Sequence, residues 1–123
     1  MPDWIALRSG TVSTFPDGVA FPENEEDLQR IMDFAADSGA VLIPYGGGTS
    51  VLGHINPLAL DRPVITVSLS RMSAMLTVNE TSRLATFQPG VLGPDLEAGL
   101  KGEGFTLGHF PQSFEFSTLG GWV

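Results

Sequence analysis

An amphipathic helix pattern enclosed between two short apolar runs constrains this chain more than any other feature. In "PENEEDLQRIMDFAADSG", Leu28, Ile31, Met32 and Ala35 recur at the spacing of one helix face. Acids crowd the first turn, Asn24 stands three residues before Asp27 as an N-cap, and Gly39 follows the last turn. Before the helix, "GVAFP" (Gly18 to Pro22) is apolar and closed by proline; after it, "AVLIP" (Ala40 to Pro44) has the length and content of a buried strand. Strand, helix, strand is a βαβ unit, for which a right-handed crossover is the rule. "VITVSLS" (Val64 to Ser70) and "RLATFQP" (Arg83 to Pro89) add two expected strands. "GPDLEAGLKGEG" adds a short helix with Pro94 near its first position. The fold class is α/β (α+β): a small βαβ parallel sheet with flanking helices, followed by further strands.

At 123 residues there is room for one modest core, and no internal repeat divides it. Fourteen acidic residues against six Lys and Arg give a formal charge of −8, which repels a nucleic-acid backbone. No cysteine is present, so disulfides and thiolate metal sites are excluded. The opening "MPDWIALRSG" lacks a basic-then-apolar leader, and apolar runs fall far short of the roughly 18 residues of a membrane span. A soluble, cytoplasmic protein is the expectation. The final "GGWV" is an unusual place for a domain to stop, so the fold is expected to run on beyond Val123.

Three consecutive glycines, Gly46 to Gly48, follow the second strand directly, where ligands of open α/β sheets gather. Bare backbone there permits positive φ and lets successive N–H groups converge on an anion, and Thr49 and Ser50 can add hydroxyl donors. A tight turn that binds nothing satisfies the same residues. Neither the P-loop pattern nor G-x-G-x-x-G is met, and Pro57 and Pro63 oppose a following helix, which disfavours Rossmann and nucleotidase loops. A second unusual segment, "LGHFPQSFEFSTLGGWV" (Leu107 to Val123), combines hydroxyls, glycines and aromatics. Phe105, Phe110, Phe114 and Phe116 read as core or interface packing.

"PYGGGTSV" and "TLGHFPQSFEFSTLGGWV", in that order and at that separation, resemble the FAD-binding domain of the vanillyl-alcohol oxidase and p-cresol methylhydroxylase (PCMH-type) superfamily. Within it the chain is most similar to the alkyldihydroxyacetonephosphate synthase family, whose pattern runs close to P-x-GGGTS and then TGH-x-P-D-S-x-EFST-x-GGWV. The likeness covers the chain from about Gly18, leaving residues 1–17 as an N-terminal extension and 18–123 as the first portion of the FAD domain. It implies that Pro44, Tyr45, Gly46, Gly47, Gly48, Thr49 and Ser50 cradle the FAD pyrophosphate. Gln112, Ser113, Phe114, Glu115, Phe116, Ser117 and Thr118 would line the flavin side through main-chain groups and hydroxyls. Gln112 stands where the family has Asp, and Tyr45 and "LGHINP" also depart from it, which bears on substrate more than on cofactor.

Covalent members of the superfamily often carry His directly after the loop glycines, where this chain has Thr49, so the resemblance implies non-covalent FAD. It also implies an acyl-to-alkyl exchange on a dihydroxyacetone phosphate ester in ether-lipid synthesis. The alternatives are an FAD-dependent 2-hydroxy-acid dehydrogenase or oxidase of the lactate or glycolate type and, less favoured, a non-catalytic binding module. A lipid or small-molecule substrate would be met by a further domain, with homo-oligomerisation and peripheral membrane contact open. No catalytic residue is identifiable. His54 finishes a turn or touches phosphate; His109 stands beside the second motif without an acid–base partner. Two isolated histidines and scattered acids lack metal-ligand spacing. "NET" (Asn79 to Thr81) reads as a turn. The expected weakness is the flavin-side segment, at a chain end with nothing to hold it. A side chain at Gly47 is expected to harm FAD affinity far more than stability.

Overall fold

The computed structural model describes residues 6 and 8–123, so the extension read over residues 1–17 falls partly outside the described residues. In order come β1 (Gly18–Ala20), α1 (Glu25–Ser38), β2 (Val41–Tyr45), β3 (Val64–Ser68), β4 (Met75–Asn79), β5 (Leu84–Phe87) and α2 (Gly93–Gly102). Single 3-10 turns occupy Leu69–Arg71 and Leu119–Gly121. No helix among the described residues is long and apolar enough to cross a membrane.

The termini of α1 follow its sequence signals. The Asn24 side chain accepts the Asp27 amide at 2.9 Å, three acids meet the positive end of the helix, and Gly39 leaves it at φ 71°. Arg30 pairs with Glu26 at 2.7 Å one turn back, on an exposed face where such a pair adds little.

The first sheet is parallel with order β1-β3-β2, Val19 and Ile43 both standing opposite Thr66. The βαβ reading holds in order and sense, but β3 comes between the two strands that α1 joins. Chemistry decides the slots. β3 is the strand with buried residues on both faces, Val64 and Val67, whereas β2 contains Pro44, which has no N–H to give a second neighbour and suits an edge.

β4 and β5 form an antiparallel hairpin, Thr77 opposite Thr86, with a bulge between Met75 and Thr77. β4 was not expected from the sequence. Its residues are mostly exposed, Met75 and Leu76 included, so no alternation marked it. The Asn79 side chain accepts the Ser82 amide at 3.0 Å and Arg83 adopts φ 54°, which makes "NET" the start of the turn.

Val91, Leu96 and Leu100 form the main apolar cluster, with Phe87, Phe105, Leu119 and Trp122 packed against it. Two of those residues belong to the C-terminal segment, and main-chain bonds hold it further. Leu119 N–H donates to Val91 at 3.0 Å, Gly120 N–H to Pro89 at 2.8 Å, and Thr118 bridges Leu92. The expectation that nothing holds the tail is therefore corrected: the segment before α2 offers it a partner edge. The phenylalanines divide. Phe105 and Phe114 are half-buried, while Phe110 and Phe116 remain 66% and 65% exposed.

Candidate functional site

The two motifs meet. β2 ends at Tyr45 and turns through Gly46, Gly47 and Gly48, and the tail backbone at Phe116 to Thr118 lies directly against this turn. A Cβ built on Gly47 would collide with the Phe116 carbonyl and stand 3.0 Å from the Ser117 Cα. One on Gly46 would strike the Thr118 hydroxyl. Only Gly48 of the three takes a left-handed conformation, at φ 69°, with the Tyr45 hydroxyl beside it. The first duty of Gly46 and Gly47 is thus close backbone approach, so a side chain at Gly47 strikes the tail before it strikes any ligand. A side chain at Gly47 therefore costs stability as well, contrary to the expectation from the sequence.

What the loop offers a ligand is hydrogen. Among the described residues, the amides of Gly46, Gly47, Gly48 and Thr49 form no hydrogen bond, and neither does the Thr49 hydroxyl. All four residues are half-buried. Successive unclaimed amides at the end of a parallel strand are the donor set that an anion needs. No Lys or Arg occurs between Leu42 and Asp61, so the attraction would come from neutral dipoles. Pro44, inside the strand, has no amide to add. The Ser50 hydroxyl is turned toward the following loop, where it accepts the Gly53 amide at 3.2 Å and meets His54 Nδ1 at 3.2 Å.

The tail presents a different inventory. Gln112 to Phe116 form a turn in which Ser113 takes φ 59° and its carbonyl accepts the Phe116 and Ser117 amides, each at 2.8 Å. The Phe114 ring sits on Gly93, stacks on Trp122 with centroids 6.0 Å apart and meets Phe110 edge-on at 5.0 Å. The buried Ser117 hydroxyl accepts the Trp122 indole N–H at 2.7 Å. Thr118, 4% exposed, keeps a hydroxyl that bonds to no described residue and faces Gly46. Gln112, Glu115 and Phe116 side chains are exposed.

Two features escaped the sequence reading. Glu97 on α2 accepts from the Thr106 hydroxyl at 2.8 Å and from the Leu107 and Gly108 amides, each at 3.1 Å, which pins the approach to the tail. No local spacing announces a contact made by a helix with a loop ten residues on. The second is a cavity of about 670 Å³ beside the glycine loop, lined by Tyr45, Gly48, Thr66, Ser68, Thr11 and Phe15 among others. A separate apolar cavity of about 520 Å³ lies between β5 and α2 and shares no lining residue with the loop. His109 lies edge-on to Trp122 at 6.0 Å. Among the described residues no group of three or more His, Asp or Glu could hold a metal ion.

The family model for the FAD binding domain matches residues 16–123, and the chain belongs to that family. Among individual proteins, it is 42% identical over 123 residues to alkyldihydroxyacetonephosphate synthase of Trypanosoma brucei brucei, covering 98% of this chain and 20% of that protein. The synthase of Dictyostelium discoideum is 40% identical over 121 residues, with the same coverage. Glycolate oxidase subunit GlcD of Bacillus subtilis (strain 168) is more distant, 28% identical over 108 residues, 88% of this chain and 22% of that protein. A solved structure of alkyldihydroxyacetonephosphate synthase superposes with a TM-score of 0.95 at 39% identity, covering 99% of this chain and 23% of that one. The chain thus spans about a fifth of the length of these relatives, and its α/β fold is that of their FAD-binding region.

Proposed function

We propose that this chain supplies the pyrophosphate-binding half of a flavin site. In this reading the amides of Gly46 to Thr49 and the Thr49 hydroxyl hold the phosphates of FAD, and Pro44, Tyr45 and Ser50 shape the loop around them. The observation that carries it is the run of four unclaimed amides at the carboxyl end of β2. Gln112 to Thr118 form the flavin-side wall, with the free Thr118 hydroxyl at the seam and Ser117 a support rather than a donor. FAD, when bound, supplies the redox-active ring; the chain's own part is to bind and orient it. The domain starts near Gly18, and residues 1–17 are an extension.

Thr49 cannot form the histidyl link of covalent relatives, so the cofactor is held non-covalently. The whole protein acts as an alkyldihydroxyacetonephosphate synthase-like transferase, supported by identities of 40% and 42% against 28% for the glycolate oxidase subunit. Its lipid or small-molecule substrate is met outside these residues; it works in the cytoplasm, peripheral to membranes, as a homo-oligomer. The chain alone, about a fifth of the length of its relatives, is expected to show no turnover and to bind FAD weakly or not at all. Purification of the full-length protein tests the binding reading: bound FAD, all of it released on denaturation, is expected. Flavin that stays with acid-precipitated protein would contradict the non-covalent reading, and full-length protein that takes up no FAD would remove the site.

A further inference from the structure

Leu96 and Leu100 belong to the main apolar cluster, yet they also line the cavity of about 520 Å³ between β5 and α2. The hairpin supplies the facing wall. Val78 stands opposite Ala85, and Met75 and Phe87 lie over Gly99 of α2, 3.4 and 3.7 Å from where a Cβ would be. Leu84 and Leu107 flank the opening and are 70% and 48% exposed. Large apolar side chains left bare around an opening into the core mark a contact surface. Arg83 is the one charged residue among those lining the cavity, and its guanidinium makes no hydrogen bond or ion pair with a described residue.

The hairpin has two outer edges, both unpaired among the described residues. β4 carries the bulge between Met75 and Thr77, a device that blunts an edge against further pairing. β5, with the sequence LATF, contains no proline and no charge, so its edge is unprotected. We propose that β5 is an internal strand of the full-length protein. An extended segment of the same polypeptide, from outside residues 1–123, pairs with its free edge, sets alternate apolar side chains into the cavity and brings a carboxylate to Arg83. Three observations favour that occupant. The chain spans about a fifth of the length of its relatives, which leaves ample polypeptide to supply the segment. A lipid tail would fill the cavity but leave the N–H and C=O groups of the β5 edge unanswered. A second copy of this chain would set one formal charge of −8 against another. The surface lies apart from the glycine loop and is independent of the flavin reading.

The test uses the full-length protein with the photo-cross-linking residue p-benzoylphenylalanine in place of Leu84. Irradiation, digestion and peptide mapping are expected to find a cross-link within one polypeptide, to a segment outside residues 1–123 that alternates apolar and polar residues and carries an acid. A cross-link between two copies assigns the face to a dimer and overturns the proposal, as does one confined to residues 1–123 or the absence of any peptide partner. A second variant reads the same surface without the bulky label. Leu84→Glu in the full-length protein is expected to lower the thermal midpoint by about 3 °C or more, and to speed hydrogen exchange at the Ala85, Thr86 and Phe87 amides roughly tenfold. An unchanged midpoint with unchanged exchange shows a face open to water and overturns the proposal. Protection of those amides that disappears when bound lipid is extracted assigns the cavity to lipid and overturns it likewise.

Discussion

The glycine loop and the C-terminal motif look alike in sequence, each a run of glycines and hydroxyls, and the structure uses them in opposite ways. In the loop, the amides of Gly46 to Thr49 are uncommitted among the described residues, and the backbone is bare because another chain segment leans on it. In the tail, the Phe116 and Ser117 amides and the Ser117 hydroxyl are already bonded, and Trp122 is spent on holding them. One segment leaves its donors uncommitted; the other uses them to fix the wall against which the first is pressed. Residue type therefore identifies a flavin-domain motif without saying which half does the binding.

Breaking the contact between the two should have the largest effect. Gly47→Val forces two branched carbons into the Phe116 carbonyl and Ser117 Cα, contacts that belong to backbone and cannot move aside. Such overpacking is expected to cost about 3 kcal/mol or more, lowering the thermal midpoint by about 10 °C, with FAD affinity lost as a consequence. A variant with unchanged midpoint and abolished FAD binding would restore the view that this glycine makes room for phosphate.

A tail hydroxyl comes next. Ser117→Ala leaves the Trp122 indole N–H without its acceptor in a half-buried site, which should cost about 1 to 2 kcal/mol in chemical denaturation. Glu97→Gln removes a charged acceptor from the Thr106 hydroxyl and the Leu107 and Gly108 amides; about 1 kcal/mol is expected, with faster hydrogen exchange at those two amides. If exchange accelerates equally across α2, the carboxylate supports the helix rather than the loop. The mirror experiment lies in the loop itself. Thr49→Val should change stability by less than about 0.5 kcal/mol, since its hydroxyl bonds to no described residue, but should weaken FAD roughly tenfold. Loss of stability without loss of affinity would reverse the assignment of the two segments.

Much of this is legible in the sequence. The acids, Asn24 and Gly39 bounded α1 because caps act locally, and Pro94 opened α2 for the same reason. The existence of β2 and β5 followed from apolar runs, read as Ala40 to Pro44 and Arg83 to Pro89 and found as Val41–Tyr45 and Leu84–Phe87. What could not be read depended on partners distant in sequence. β3 took the central slot between β1 and β2 because it buries residues on both faces, which its apolar run alone does not distinguish from that of β2, and β4 carried its apolar side chains to solvent. The site divides the same way. Resemblance brought the loop and tail motifs together, but only their apposition shows that Gly47 answers to Phe116, that Ser117 answers to Trp122, and that Ser50 is turned toward His54.

The most direct test is an amide-resolved titration: isotope-labelled full-length protein, FAD added stepwise, and the N–H resonances of residues 46–49 and 116–117 followed together. If the loop holds the pyrophosphate and the tail is the wall, the Gly46, Gly47, Gly48 and Thr49 amides move strongly downfield in concert as new hydrogen bonds form. The Phe116 and Ser117 amides, already bonded to Ser113, should move little. Loop amides that stay in place while FAD binds and other resonances shift would contradict the assignment at its centre.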